Sequence, residues 1–271
     1  MVPGARCQPF ARCEECSLYD RRRTGNLSSD RGKRSVIVGI HQPNYFPWLG
    51  YFRKIARSDH FVFLDDTAFS KGSVTNRVKI LDGGKESWLT VPAKPSLGTA
   101  ICDVTTGDED WPVKHLSRLR NAYRKRPFFK SVWPELEVLF STLPSANLSA
   151  ANRAIIEFLC RRLELNTVLH SSASMGVSTD LPADDRLIAI IREIPGGEVY
   201  LSGRGGKKYQ DEGKFASAGI HLQYNDYQPQ PYDQGAGIDG FIPGLSVADA
   251  LFNVGWQGTA TLVREHGVDG A

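Results

Sequence analysis

Short apolar runs and segments of helical spacing alternate along the body of the chain. Residues 36–40 form a β-branched run that predicts a buried strand, and residues 61–64 form a second. Residues 49–56, between these runs, have helical spacing. A strand–loop–helix–strand order is typical of a βαβ unit, so we expect a parallel sheet with helices on its faces.

The remaining pattern extends this α/β prediction. Residues 78–81 and 88–91 flank a turn at Asp82-Gly83-Gly84 and predict a hairpin. Helical periodicity covers residues 111–140, 147–164, 184–194 and 246–253, and two more short strands are predicted at 199–201 and 220–224. The expected fold is α/β: a mostly parallel, Rossmann-like sheet with flanking helices and a small hairpin insertion.

Composition narrows the function classes. The chain has 271 residues, 41% hydrophobic and 23% charged, which is typical of a globular protein with ample material for a core. No apolar stretch reaches the length of a membrane span. Eight basic and four acidic residues lie in 1–35, so this segment accounts for the net charge of +3 and leaves the body nearly neutral. A neutral body argues against a nucleic-acid binder.

The two ends of the chain are expected to lie outside the domain, which we place at 36–256. Residues 1–35 predict a disordered basic tail, and 257–271 a frayed terminus. The tail contains Cys13-Glu14-Glu15-Cys16, whose spacing suits a metal, but a closed site needs further ligands, and we predict no metal site. Cys102 and Cys160 lie in apolar surroundings and are expected as buried thiols. The cysteine pattern predicts no disulfide framework, which favours a reducing cytoplasm.

A dense polar cluster follows the first strand. His41, Gln42, Asn44 and Tyr45 lie in a loop stiffened by two prolines. Ligands of open parallel sheets bind beyond the carboxyl ends of the strands, so we expect this cluster to bind substrate and His41 to act in catalysis. The alternative is that His41 bonds only to the backbone and the aromatic residues pack in the core.

Further candidate residues follow the second strand. Asp65 and Asp66 end it, and their carboxylates suit proton transfer or the orientation of His41, with loop capping as the alternative. Lys71 is the fourth catalytic candidate, and a solvated surface role is its alternative. Asn76 and Arg77 come next, and the guanidinium offers a planar fork for a carboxylate or phosphate.

A glycine-rich basic loop follows a later strand. Residues 202–209 read Ser-Gly-Arg-Gly-Gly-Lys-Lys-Tyr, and we expect Ser202, Gly203 and Tyr209 to bind an anionic substrate group. The loop matches neither GxxxxGK[ST] nor GxGxxG, and a flexible basic turn is the alternative. His115 and Tyr123 lie two turns apart on one predicted helix, where they either line a pocket or belong to an amphipathic surface.

These residues together resemble the WbqC-like protein family. The resemblance covers about residues 36–256 and rests on these segments: His41-Gln42-Pro43-Asn44-Tyr45-Phe46-Pro47-Trp48-Leu49-Gly50-Tyr51-Phe52, Lys54-Ile55, Phe63-Leu64-Asp65-Asp66, Phe69-Ser70-Lys71, Asn76-Arg77, Trp88-Leu89-Thr90-Val91-Pro92, His115, Tyr123, Tyr200-Leu201-Ser202-Gly203, Tyr209, Leu245-Ser246 and Asp249 to Asn253. It adds Asn253 to the expected substrate-binding residues. The chain departs from the family at Thr75, where the family tends to have Gln, and at Gly244, where it tends to have Asn.

The resemblance implies a bacterial cytoplasmic protein of a surface-polysaccharide (O-antigen type) or specialised-metabolite pathway, and it leaves the cofactor unknown. The leading hypothesis is a transferase that modifies an amino sugar or related small metabolite by acyl or aminoacyl transfer, with His41 as general base and an anionic donor held by Arg77 and the 202–209 loop. One alternative is a nucleotidylyltransferase, although the second histidine of an HxGH motif is absent. The other is a non-catalytic sugar-binding subunit.

Overall fold

The computed structural model describes residues 34–235 and 240–264, and every helix and strand of it lies in the compact unit Ser35–Ala271. Seven strands and seven α-helices occur in this described part. The strands are β1 (Val36–His41), β2 (His60–Phe63), β3 (Arg77–Asp82), β4 (Lys85–Thr90), β5 (Val168–Ser171), β6 (Gly197–Gly203) and β7 (His221–Asn225). The helices are α1 (Leu49–Ala56), α2 (Trp111–Tyr123), α3 (Phe129–Ser141), α4 (Leu148–Arg162), α5 (Ala183–Arg192), α6 (Glu212–Ser217) and α7 (Val247–Arg264).

Five strands form one parallel sheet in the order β5-β2-β1-β6-β7. The central strand β1 pairs with β2 from Val38↔His60 to His41↔Phe63, and with β6 from Val36↔Gly197 to Gly39↔Leu201. The chain therefore winds outward from β1 in one direction and later returns to wind outward in the other. Numbered along the chain, this order is 3-2-1-4-5, which matches the first five strands of the doubly wound 3-2-1-4-5-6 sheet and confirms the predicted Rossmann-like arrangement.

The sheet is buried on both faces. Alternate residues of the central strands point to opposite sides, so Val38, Ile40 and Val62 join the core beside α5 and α6. Phe61 and Phe63 join a larger core on the other face, which also includes α1 to α4 and α7. Burial on both faces explains why these strands appear in the sequence as continuous apolar runs.

The predicted hairpin is present as the antiparallel pair β3–β4. Asp82 pairs with Lys85, so Gly83 and Gly84 form a two-residue turn, and both have positive φ angles of 59° and 78°. A turn with two left-handed residues matches the twist of the flanking strands, which explains the glycine pair. Its apolar side chains, Ile80 and Leu89 among them, join the larger core.

Several boundaries differ from the expectation. The periodic segment 111–140 is two helices, because the chain turns at residues 124–128, around a proline. Strand β5 and helix α6 are absent from the sequence prediction, since each is short and mixed in polarity. The closing helix kinks at Gly255, where φ is 71°, and a second helical stretch extends to Arg264, beyond the expected fraying at residue 257, because Thr259, Ala260 and Val263 are buried. Residues 1–33 of the predicted tail 1–35, and residues 265–271, lie outside the described residues.

Candidate functional site

A crevice opens where the winding of the sheet reverses, between the carboxyl ends of β1 and β6. Loops that leave two such strands diverge to opposite faces, which leaves room for a ligand. A cavity of about 360 Å³ lies there, lined by His41, Gln42, Lys54, Ser202 and other residues of the two loops. A second cavity of about 230 Å³ shares His41, Lys54, Gly203 and Gly205 with the first. We call these two joined cavities the crevice.

His41, the last residue of β1, faces the crevice as a neutral imidazole. Its Nδ1 donates to the Gln42 carbonyl at 3.1 Å, and Tyr51 donates to the same carbonyl at 2.9 Å. The Tyr51 ring meets the imidazole edge-on, with 5.1 Å between centroids. Burial lowers the pKa of His41 to about 4, with a smaller contribution from the charge of Lys54. Because Nδ1 carries the proton, Nε2 remains as a hydrogen-bond acceptor.

Lys54 is the functional candidate that the sequence analysis does not identify. Only 3% of this residue is exposed, and its Nζ donates to the Ile40 carbonyl at 2.6 Å. Within residues 34–235 and 240–264, no carboxylate forms an ion pair with it. Burial lowers the pKa of Lys54 to about 7, so amine and ammonium forms coexist at neutral pH. One feature of the sequence could have identified Lys54: it follows Tyr51 by three residues and so lies on the apolar face of α1.

The loop after β6 forms the opposite wall of the crevice. Ser202 donates through its Oγ to the Gln210 Oε1 at 2.8 Å, which pins the two ends of the loop together. A methyl group on Gly206 would overlap both of these side chains, whereas one on Gly205 would meet nothing within 4 Å. Tyr209 is exposed but lines the larger cavity. The structure thus brings the predicted loop beside His41, and adds Gln210 to it.

The two aspartates belong to a different part of the same sheet edge. Asp65 is buried and accepts from the Ser171 hydroxyl at 2.8 Å, and Asp66 pairs with the buried guanidinium of Arg186 at 2.5 Å. These contacts join the ends of β2 and β5 to α5. The expected orientation of His41 by a carboxylate is not observed, because the Gln42 carbonyl occupies its Nδ1.

Three predicted residues line a separate cavity beside the hairpin. This cavity measures about 270 Å³ and is lined by Asn44, Tyr45 and Arg77, together with Trp48 and Trp88. The loop 42–48 therefore lines both the crevice and this separate cavity. The expectation that Arg77 and the 202–209 loop hold one donor is not met, because they line different cavities. Lys71 lies exposed and lines none of these three cavities.

The histidine of α2 forms a buried pair with Tyr45. The Tyr45 hydroxyl lies 2.7 Å from the Nδ1 of His115, whose Nε2 lies 3.1 Å from the Thr90 carbonyl. Facing a carbonyl, Nε2 carries the proton, so Nδ1 accepts from the tyrosine. Burial lowers the pKa of His115 to about 4. This pair connects the 42–48 loop to β4 through α2.

Three other predicted residues bond to backbone. Tyr123 accepts from the Leu81 N–H at 3.0 Å, Asn76 donates to the Val91 carbonyl at 3.0 Å, and Asn253 donates to the Asp249 carbonyl at 2.8 Å. All three are buried. Their contacts hold the hairpin and α7 in position, away from the crevice.

Two sites where the chain departs from the family pattern have simple local explanations. Gly244 has a φ of 76°, in the left-handed region that Gly and Asn adopt most readily. Thr75 is fully buried, and its hydroxyl donates to the Gln42 Oε1 at 3.4 Å. A shorter side chain at position 75 thus retains a polar contact with the loop of His41.

Residues 34–235 and 240–264 contain no group of three or more His, Cys, Asp or Glu side chains arranged to bind a metal ion. In the same residues, every helix is too short or too polar to cross a membrane.

Comparison with known proteins gives two matches and one negative result. The model of the WbqC-like protein family matches residues 42–261. A Mycobacterium tuberculosis protein, named Uncharacterized protein Rv1507c, is 31% identical over 221 residues, which cover 80% of this chain and 94% of the relative. No solved structure matches the chain significantly.

Proposed function

The chain belongs to the WbqC-like protein family, and on that premise we propose that it is a biosynthetic transferase acting on an amino sugar or a related small metabolite. The transferred group is an acyl or aminoacyl group. One observation supports this most: a neutral histidine and a buried lysine, which has no carboxylate partner in the described part of the chain, face one cavity at the switch point of the sheet. Perturbed titratable groups in a cleft are typical of catalytic sites.

In this proposal Lys54 acts as the general base. When an acceptor amine or hydroxyl attacks an acyl carbonyl, its proton must leave as the new bond forms, and a base with a pKa near the working pH is most effective. The pKa of Lys54 is lowered to about 7, whereas that of His41 is lowered to about 4. His41 then serves as a fixed acceptor that orients the attacking group through Nε2.

The loop after β6 binds the anionic part of the donor. Its glycines leave backbone N–H groups accessible, and Arg204, Lys207 and Lys208 supply positive charge beside them. A cavity of about 360 Å³ is in the range for small-molecule sites. We place the reaction in a surface-polysaccharide or specialised-metabolite pathway of the bacterial cytoplasm, on the strength of the family resemblance.

The proposal is tested with the full chain, amino-sugar acceptors, and acyl-thioester or aminoacyl donors. Mass spectrometry should detect acceptors that have gained the acyl mass. We expect the rate to rise as the pH increases through about 7 and to fall at least about 100-fold in Lys54→Met. The matched control is Lys85→Met, which changes an exposed lysine at the hairpin turn and should leave the rate unchanged.

Four outcomes would count against parts of this proposal. Undiminished turnover in Lys54→Met would show that Lys54 is not the general base. Undiminished turnover in His41→Ala would show that His41 does not orient the attacking group. Binding of acceptors without transfer from any donor would favour the non-catalytic sugar-binding subunit. Magnesium-dependent exchange between ATP and pyrophosphate would favour nucleotidylyl transfer instead.

A further inference from the structure

The cavity beside the hairpin has the features of a second ligand site. It measures about 270 Å³ and is bounded by the loop 42–48 on one side and by β3 and β4 on the other. Trp48 also lines the smaller cavity of the crevice, so one indole lies between the two sites. We call this cavity the tryptophan pocket.

The walls of the tryptophan pocket are aromatic and open to solvent. Trp48 is 37% exposed and Trp88 is 41% exposed, and both line the pocket together with the exposed Val74. Large aromatic side chains usually bury most of their surface, so two accessible indoles in one cavity are unusual. Their faces suit the C–H face of a sugar ring or the face of a base.

Two positively charged side chains lie against the indole of Trp88. The Arg77 guanidinium carbon is 4.3 Å from the centroid of Trp88, and the Lys79 Nζ is 5.6 Å from it. Lys79 also pairs with Glu86, but no carboxylate within the described residues pairs with Arg77, and its Nε is buried without a partner. A guanidinium with free donors suits a phosphate or carboxylate.

A buried acceptor completes the pattern. Asn44 is only 4% exposed, and its Oδ1 has no hydrogen-bond partner among the described residues. Leaving such a group unpaired is costly, and a ligand hydroxyl or N–H would satisfy it. Aromatic faces, an unpaired cation and an unpaired acceptor therefore converge on one cavity, as in small-molecule sites generally.

We propose that the tryptophan pocket binds a small compound with a hydroxylated ring and a phosphate or carboxylate group. The ring packs against Trp48 and Trp88, the anionic group bonds to Arg77, and a ring hydroxyl donates to Asn44. This assignment does not depend on catalysis in the crevice, because the two sites have separate polar groups.

The test is calorimetric titration of the full chain with glucose 1-phosphate, glucuronate, uridine 5′-monophosphate, glucose and inorganic phosphate. We expect the compounds that combine a ring with an anion to bind at least about tenfold more tightly than glucose or phosphate alone. The first three probes distinguish a sugar phosphate, a sugar carboxylate and a nucleotide as the source of this chemistry. Equal binding of phosphate alone would overturn the proposal, as would no binding by any probe at about 10 mM.

Variants locate the bound compound. Arg77→Gln and Trp88→Ala should each weaken binding by about tenfold or more, while Lys85→Ala, on the same hairpin, should not change it. If Lys54→Met abolishes binding and Arg77→Gln does not, the compound occupies the crevice and the proposal fails. The indole N–H signals of Trp48 and Trp88 should shift during titration of the unmodified chain, and unchanged signals would contradict the site without relying on any variant.

Discussion

Two polar clusters lie along the same edge of the sheet, and they differ in how completely their atoms are paired. At the ends of β2 and β5, Asp65 accepts from Ser171, Ser172, Ala173 N–H and Arg153, and Asp66 is held by Arg186. At the ends of β1 and β6, Lys54 has a single carbonyl partner among the described residues and lies beside an open cavity. The carboxylates of the first cluster are saturated with partners, although the Nε atoms of Arg153 and Arg186 have no hydrogen-bond partner among the described residues, and the Lys54 ammonium of the second cluster is not saturated.

This difference separates structural groups from groups available to a ligand. A buried carboxylate with several hydrogen bonds has little capacity left for a substrate, and its contacts hold the surrounding elements in place. A buried cation with one partner retains donors, or a lone pair, for chemistry. Strand-end position alone therefore does not identify a site, and the pairing of each polar atom is needed as well.

The largest expected effect comes from breaking the saturated cluster. Asp65→Ala leaves the buried Ser171 hydroxyl, the Ala173 N–H and the partly exposed Arg153 without their carboxylate acceptor, while Ser172 keeps Asp66. The unpaired donors together should lower the free energy of unfolding by about 3 to 5 kcal/mol. Urea denaturation measures this loss. Asp226→Ala, which removes an exposed carboxylate, should change stability by no more than about 0.5 kcal/mol. A loss below about 1 kcal/mol in Asp65→Ala would mean that the network contributes little.

Two buried histidines, His41 and His115, gain a positive charge when the pH falls. The pKa values of His41 and His115 are both lowered to about 4, so the unfolded chain binds more protons than the folded one between pH 6.5 and 4. Stability should fall as the pH drops through this window, by about 2 to 3 kcal/mol for each histidine. Denaturation at pH 6.5 and 4.5 measures the loss of stability. NMR titration gives the folded-state pKa of each histidine. A folded-state pKa above 6 for either residue would contradict this prediction.

The unsaturated cluster should respond in the opposite direction. Lys54→Met replaces a buried ammonium with an apolar chain of similar length, and should raise the free energy of unfolding at pH 6 by about 1 to 2 kcal/mol. Because the folded pKa of Lys54 is lowered to about 7, the unfolded state binds more protons up to about pH 10, and wild-type stability should rise over that range. Denaturation at pH 6 and pH 9 measures both effects.

Lys85→Met is the control for this prediction. Its side chain is exposed at the hairpin turn, so neither the stability at pH 6 nor its change with pH should differ from the wild type. Destabilisation of Lys54→Met at pH 6 would show that the bond to the Ile40 carbonyl outweighs the burial of charge.

The smallest effect is expected from a pair of glycines in the crevice loop. Gly206→Ala places a methyl group against Ser202 and Gln210 and should separate their hydrogen bond, at a cost of about 1 kcal/mol. Gly205→Ala meets no neighbouring atom and should be neutral or slightly stabilising. Thermal denaturation of the two variants, side by side, measures the difference, and equal effects would mean that the loop is free to adjust.

The sequence pattern identifies the elements whose own residues indicate their burial or their turn. β1 and β2 are buried on both faces and appear as apolar runs, and the Gly83-Gly84 turn marks the hairpin. β5 escapes prediction because its four residues include His170 and Ser171, whose polar groups find partners on β2 or beyond its end. The end of α7 escapes because its burial depends on long-range packing.

The candidate site was only partly predictable for a similar reason. Parallel strand ends must share one edge, so His41 and the loop of Ser202 could be placed together from sequence. Which neighbours pair with which depends on the strand order, and that order puts Asp65 beside β5 rather than beside His41. Lys54 required knowledge that its helix face is covered, since a lysine in an amphipathic helix usually lies in solvent.

The position of β1 has a consequence for the synthesis of the protein on the ribosome. The central strand emerges early, yet its partner on one side, beginning with Gly197 beside Val36, is translated much later. At ordinary elongation rates this delay is about ten to thirty seconds. During that interval an apolar strand has one unpaired side, which chaperones or neighbouring nascent chains can reach. The crevice, which needs both strands, is therefore completed only late in translation.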